Sequence, residues 1–333
     1  MPTLYIDRRT TELKVNGDVL ICYEKGERIA TIPLASVDRL YMKGDINLQI
    51  SLLSKLGEKG IGVVFLQGRK NKPMQFLPQP HNDAYRRVTQ TYLADNKLFC
   101  LTLAKNIVLN KCIKQCQFLA KFIEHNPKII TFIAELQKLF NLIVKQENID
   151  SLRGIEGRMG AIYFAAFADI LPRSLGFNGR NRRPPKDPVN AVLSLTYTLL
   201  YSEATLAVYG AGLDPYIGFF HTLHFGRKSL SCDLMEPIRP SVDEWIAECF
   251  TAEVLKIDQF SQTNEGCILG KEGRVIFYTA FEKVVSEWRK IFEKQAYELV
   301  HLICGYQTEY HQDQFDDYTI NMAHILGNEK CDI

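Results

Sequence analysis

The chain changes texture at Leu77-Pro78-Gln79-Pro80, and that change limits its fold more than any other feature. Before it the apolar runs are short and punctuated by turns, at residues 3–6, 11–15 and 19–23, with Asn16-Gly17 between the last two. An Asn-Gly pair between such runs signals a hairpin, because both residues tolerate the positive φ that tight turns need. Further strands are expected at 28–33, 37–41, 62–66 and 74–77, and one helix near 48–56, whose apolar residues 48, 52, 53 and 56 share a face. Two prolines in three residues then favour an extended link over continued structure. After Asn82 the segments are long and helical in period, over 85–124, 128–146, 151–170, 189–210, 242–257 and 274–306. The expected fold class is α+β: a small β-rich domain over 1–80, then a large all-α domain over 81–333, ending from Gln312 in a loosely held acidic tail, with a short partner-binding strand or helix as the alternative.

With 333 residues, 46% of them hydrophobic, the chain has material for a sizeable core, which excludes a disordered tail protein or a disulfide-stapled mini-domain. Nine cysteines without a CxxC pair fit a reducing cytosol. Cys112 and Cys116 lie one helical turn apart and read as packing, since His125 is too distant to complete a metal site. The first nine residues lack the apolar stretch of a signal peptide, and the longest uncharged run, 188–202, is shorter than the ~20 residues of a spanning helix. A cytoplasmic protein with no membrane partner is expected. Forty Lys+Arg against 38 Asp+Glu leave a net charge of +2, so any attraction for a polyanion must be local.

Three segments carry acids or a histidine in apolar or glycine-rich surroundings. In 152–160, Glu156 borders the apolar stripe of Leu152, Ile155, Met159 and Ile162. Gly154, Gly157 and Gly160 each cost about 1 kcal/mol inside a helix, so close approach of a backbone or a substrate would explain them. An ion pair of Glu156 with Arg153 or Arg158, with glycines for helix packing, is the alternative. The segment 210–221 runs from a helix end through a proline turn to His221, which competes with a core role and with His224 as a ligand candidate. Asp233 and Glu236 stand three apart near the expected start of a helix, where acids also serve as N-terminal charges. Several carboxylates with one imidazole suit a hard cation, Mg²⁺ or Mn²⁺, and phosphoryl chemistry. Between Pro172 and Pro188, Arg173, Arg180, Arg182, Arg183 and Lys186 face only Asp187 in what reads as an exposed loop able to hold a phosphate backbone. Arg227, Lys228 and Arg239 would extend that basic surface, and a merely solvated loop is the alternative.

Five motifs, in order, resemble those of the CRISPR-associated protein one family, the integrase of spacer acquisition. They are Leu152-Arg153-Gly154-Ile155-Glu156-Gly157, Asp187-Pro188-Val189-Asn190-Ala191-Val192-Leu193-Ser194, Gly212-Leu213-Asp214-Pro215-Tyr216-Ile217-Gly218-Phe219-Phe220-His221, Gly226-Arg227-Lys228-Ser229-Leu230 and Asp233-Leu234-Met235-Glu236-Pro237-Ile238-Arg239-Pro240. The resemblance spans the whole architecture. It implies that Glu156, His221 and Glu236 are metal ligands, that Asp233 assists them, and that His221 is favoured over His224. Part of the family has aspartate at the position of Glu236. Tyr201 matches a tyrosine near the active site in some members, and Asn190 is implied to organise the site. The implied reaction is a metal-dependent transesterification: the 3′-hydroxyl of a captured DNA fragment attacks a phosphodiester at the edge of a CRISPR repeat, with DNA endonuclease activity alongside. The implied partners are double-stranded prespacer fragments, repeat DNA, a second copy of the chain paired through the β-domain, and the smaller CRISPR-associated protein two in a heterohexamer, in a prokaryotic cytoplasm. A transposon-borne relative would share every motif, and a catalytically silent DNA-binding scaffold would share the fold.

Overall fold

A computed structural model describes residues 3–7, 10–67, 72–78, 83–181, 184–264 and 266–310. The strand-rich part comprises β1 (Thr3–Asp7), β2 (Thr11–Asn16), β3 (Val19–Glu24), β4 (Glu27–Pro33), β5 (Arg39–Lys43), β6 (Ile46–Leu48), α1 (Ile50–Glu58), β7 (Gly62–Gln67) and β8 (Lys72–Phe76). The expected hairpin joins β2 to β3 and pairs Asn16 with Val19, leaving Gly17 and Asp18 as the turn, with Gly17 at φ +59°. One sheet has the order β4-β3-β2-β6 and the other β1-β5-β7-β8. Strand β6 is not foreseen, because three residues are too few to show alternation; it lies parallel to β2.

The second sheet is buried on both sides, which is why β5 and β7 read as continuous apolar runs. Along β5 and β7, Leu40, Met42 and Val63 point into a small core with Leu13, Leu20, Leu52 and Leu56, while Tyr41, Val64 and Leu66 point the other way into the helical core. The period of two thus splits one strand between two cores. Gly62 lets β7 approach the next layer closely, since a Cβ there would lie 2.7 Å from Leu206 Cδ2.

The helical part contains α2 (Ala84–Asp95), α3 (Lys97–Ala120), α4 (Ile129–Ile143), α5 (Ile149–Ile170), α6 (Pro188–Gly210), α7 (Ser229–Met235), α8 (Arg239–Thr251) and α9 (Lys271–Tyr310). The single helix expected over 85–124 is divided at Asn96, whose extended backbone ends α2 and whose side chain caps α3 by accepting from the Phe99 N–H at 3.0 Å. This part is not purely α: β9 (Phe260–Thr263) and β10 (Gly266–Leu269) form an antiparallel hairpin that the helical periods on either side conceal.

By length and composition α6 could cross a bilayer, although most of it is buried in this core. Its charged residue, Glu203, ends the uncharged run and ties the two parts together. It takes hydrogen bonds from Tyr41 Oη of β5 at 2.8 Å and Arg289 of α9 at 2.9 Å. Arg289 also donates to Thr3 Oγ1 at 2.5 Å, and the Thr3 N–H donates to Glu282 at 2.9 Å. Buried charges this densely paired fix the β-rich part against α6 and α9.

Candidate active site

Glu156 lies in α5, a helix begun by the Asn148 cap, and is half-buried. Its partner is neither Arg153 nor Arg158: Lys111 Nζ of α3 donates to Glu156 Oε1 and, at 2.7 Å, to Glu236 Oε2. Arg153 instead pairs with Asp150 at 3.2 Å and donates to the Phe220 carbonyl at 2.6 Å, which fixes the residue before His221. A Cβ added at Gly157 would meet nothing within 4 Å, and the same holds for Gly154 and Gly160, so among the described residues no packed neighbour accounts for the three glycines.

Asp233 and Glu236 do not begin a helix as expected. They lie at the end of α7 and in the turn before α8, because the helix already starts at Ser229. Both nevertheless face the imidazole of His221, Asp233 at Nδ1 and Glu236 at Nε2. Asp233, 1% exposed, turns toward the chain before α7 and accepts the backbone N–H groups of Phe219 at 2.7 Å, Phe220 at 3.0 Å and His221 at 2.8 Å. It also lies 2.7 Å from His221 Nδ1. With three backbone N–H groups already donating to it, this carboxylate serves as an acceptor, so Nδ1 carries the hydrogen and, in the neutral ring, Nε2 keeps the lone pair. Nε2 points toward Glu236 Oε1, 3.9 Å away. Gly218 makes this cradle possible, since a Cβ there would sit 2.7 Å from the Ser229 carbonyl carbon and 2.8 Å from Asp233 Oδ2. Gln90 of α2 holds the preceding loop, donating to the carbonyls of Asp214 and Ile217 and accepting the Asp214 N–H, each at 2.8–2.9 Å.

Glu236 is buried. Burial alone would raise its carboxyl, but Arg239 at 3.1 Å and Lys111 outweigh it and hold the group down at about 2. The structure therefore gathers Glu156, Glu236, His221 and, behind the imidazole, Asp233. Two carboxylates already converge on one cation, and a single imidazole nitrogen is oriented by a carboxylate, which suits a hard divalent ion. Among the described residues no three acidic, histidine or cysteine side chains close on a single point, and the ammonium of Lys111 stands between two of them. His224 is exposed and bonded to its own turn, at 3.0 Å from the Phe225 carbonyl. Cys112 is buried and Cys116 half-buried, both as free thiols.

The candidate DNA-contacting residues divide into two groups. Arg180 and Arg239 face inward: their guanidinium groups lie over the Tyr197 ring at 5.6 and 5.0 Å, and Tyr197 in turn donates to buried Asp243. Arg180 also donates to Asn190 Oδ1 at 2.8 Å and Ser194 Oγ at 3.1 Å. Asn190, fully buried, knits this loop by accepting the Asn181 N–H and donating to the Gly179 carbonyl, each at 2.9 Å. The segment read as an exposed loop is thus partly pinned, and β10 covers it, the Cys267 N–H donating to the Pro185 carbonyl at 2.7 Å. Arg182 and Arg183 lie outside the described residues, as does the tail from Gln312. The second group surrounds the start of α7. Arg227 donates to the Thr222 carbonyl, the Lys228 N–H donates to Tyr201 Oη at 2.8 Å, and Lys228 Nζ reaches Gln75 of β8. Burial pulls the Lys228 ammonium down to about 8.

Lys111, Gln90 and Gly218 escape sequence reasoning. The first two sit in ordinary helical patterns, while Gly218 carries a weak signal as a glycine beside aromatic residues.

The family described as CRISPR associated protein Cas1 matches residues 4–283. The chain is 40% identical over 301 residues to CRISPR-associated endonuclease Cas1 1 of Thermodesulfovibrio yellowstonii, an alignment that covers 88% of this chain and 94% of that protein. Its fold is similar to a Cas1 protein from Thermotoga maritima, with a TM-score of 0.81 at 23% identity over 96% of this chain and all of the other. It is also similar to a casposase bound to an integration product, with a TM-score of 0.80 at 20% identity over 98% and 99% of the two chains. The solved structures establish a shared fold, and the sequence matches establish descent: the chain belongs to the CRISPR-associated protein Cas1 family.

Proposed function

We propose that this chain is the integrase of CRISPR spacer acquisition, a metal-dependent DNA strand transferase with associated endonuclease activity. The observation that carries the reading is the convergence of Glu156 and Glu236 on one cation, with His221 Nε2 3.9 Å from Glu236. Mg²⁺ or Mn²⁺ held by these three residues would supply Lewis acidity to a scissile phosphodiester and to an attacking 3′-hydroxyl. Glu156 and Glu236 contribute the negative charge that selects a divalent ion. Asp233 fixes the imidazole with Nε2 outward, and Arg239 keeps Glu236 ionised and in place. Arg227, Lys228 and Tyr201, one short helix away from Asp233, would meet phosphates of the bound strand, together with Arg182 and Arg183. In this reading Arg180 and Arg239 act behind the surface, as positioning residues.

The partners in this reading are prespacer fragments and repeat DNA, a second copy of the chain paired through the β-rich part, and the smaller CRISPR-associated protein two, in a prokaryotic cytoplasm. An integration assay with labelled fragments, Mn²⁺ and a repeat-containing plasmid tests it. Glu156→Gln, His221→Ala and Glu236→Gln should each abolish strand transfer, and full activity in any of them would sink the assignment. A casposase-like role predicts equal integration into a plasmid without repeats.

A further inference from the structure

Lys111 is the most unusual residue near the site. It lies in the middle of α3, is 9% exposed, and its ammonium touches carboxylates from two other elements, Glu156 of α5 and Glu236 of the turn after α7. Lysine is almost never buried unless paired, and here the pairing is double. Arg239 already compensates Glu236 through the other oxygen, so a single pair would have sufficed to neutralise that carboxylate. Lys111 stands where the two carboxylates converge, the position that an ion bridging them would need. Nζ lies 2.7 Å from Glu236 Oε2, whereas Mg²⁺ binds oxygen at about 2.1 Å, so ammonium and metal exclude one another there.

We propose that Lys111 is a built-in counter-cation, which holds Glu156 and Glu236 together while no metal is bound and must leave them when a divalent ion enters. The inference rests on the reading of Glu156, Glu236 and His221 as metal ligands. The residue type fits the task. A lysine is a compact charge on a flexible stem that can withdraw by rotating its own torsions. An arginine would grip a carboxylate in a planar fork and yield less readily. Without any cation at this point, two carboxylates in a largely buried pocket would repel one another and disorder the site.

The test is Mn²⁺ binding by calorimetry, with thermal unfolding followed with and without Mn²⁺. Lys111→Met should melt lower than the wild type without metal and bind Mn²⁺ about tenfold or more tightly, because no buried ion pair has to be broken. Lys111→Arg should keep the metal-free stability and bind Mn²⁺ more weakly. A lysine with a merely structural role would lower stability without tightening metal binding, and that result overturns the proposal. If Lys111→Met does not fold without metal, Lys111→Gln replaces it. Folding of both only when Mn²⁺ is added supports the proposal, and failure of both under either condition overturns it. Glu236→Gln separates the two readings. Unchanged Mn²⁺ affinity in that variant means that the ligand assignment itself has failed. Lost affinity there, with unchanged or weaker binding in Lys111→Met, means that only the role of Lys111 has failed.

Discussion

Asp233→Asn tests the geometry behind His221 with the smallest available change. In the wild type Oδ2 accepts from the N–H groups of Phe219 and Phe220, and Oδ1 from the N–H and Nδ1 of His221. Asparagine keeps one of those oxygens and replaces the other by an NH₂ group, which donates. If the amide oxygen stays on Phe219 and Phe220, the NH₂ confronts the His221 N–H and offers a hydrogen to Nδ1. The imidazole then takes the tautomer with hydrogen on Nε2 and loses the lone pair that faces Glu236. If the oxygen stays on His221, the NH₂ confronts two backbone N–H groups at a position where the side chain is 1% exposed.

The first arrangement loses one hydrogen bond to a charged acceptor outright and the second loses two, each worth about 1.5–3 kcal/mol, so the variant should lose about 1.5–6 kcal/mol before relaxation. For 333 residues the unfolding entropy near 60 °C is about 0.7 kcal/mol/K, which converts 4 kcal/mol into a fall in Tm of about 6 °C. Mn²⁺ affinity should fall by about 10- to 100-fold, as expected when the residue orienting a ligand is changed. Differential scanning calorimetry and Mn²⁺ titration measure both quantities, and strand transfer should fall with the affinity. An Asp233→Asn protein that melts within about 1 °C of the wild type and binds Mn²⁺ equally well would refute the tautomer argument.

Gly218→Ala should cost about 1–3 kcal/mol and reduce strand transfer, because its Cβ would lie 2.8 Å from Asp233 Oδ2; urea unfolding and the integration assay measure both effects. Gly157→Ala should behave in the opposite sense on stability, gaining about 1 kcal/mol of helix propensity on a face with nothing within 4 Å. If the substrate backbone runs over that face, its strand transfer falls while Tm rises, and unchanged activity would assign the glycine no part in binding. Asp243 gives a pH signature. Burial lifts its carboxyl to about 6 from 3.8, so its contribution to stability is full below pH ~4 and is lost as pH rises through about 6. The stability difference between wild type and Asp243→Asn should therefore shift by about 3 kcal/mol between pH 4 and 7 in urea titrations, and a flat difference would contradict the buried, raised carboxyl.

What the sequence makes legible depends on length of pattern. The strand-rich start and the long helices show their periods over many residues, whereas β6, α7 and the β9–β10 hairpin are too short to display one. Asn96 divides a helix without interrupting its apolar period, so a cap looks like an interior residue. At the site, acids and histidine in apolar surroundings attract notice, and the glycines of α5 do so by their cost. Lys111 gives no such sign: α3 also carries Lys97, Lys105 and Lys114, and only the packing of α3 against α5 and α8 turns one of these four inward. The direction of Arg180 and Arg239 is equally invisible, because an arginine stacked on a buried tyrosine and one that faces a phosphate have the same neighbours in the chain.

Those inward cations explain why a total of +2 is compatible with a DNA enzyme. Around the ligand candidates, Glu156 and Glu236 are met by Lys111 and Arg239, and the charge of Asp233 is spread over four N–H groups. Without a metal the pocket is close to electrically balanced and offers little to a phosphodiester. A divalent ion held by the carboxylates in place of the Lys111 ammonium would add two positive charges to that balance. Attraction for phosphate would then arise at these residues, where a partly buried setting makes each charge count for more than it would on the surface. On this reasoning the basic residues that a net-charge count would seek on the surface are needed less, since the field that holds the scissile phosphate is assembled when the metal binds.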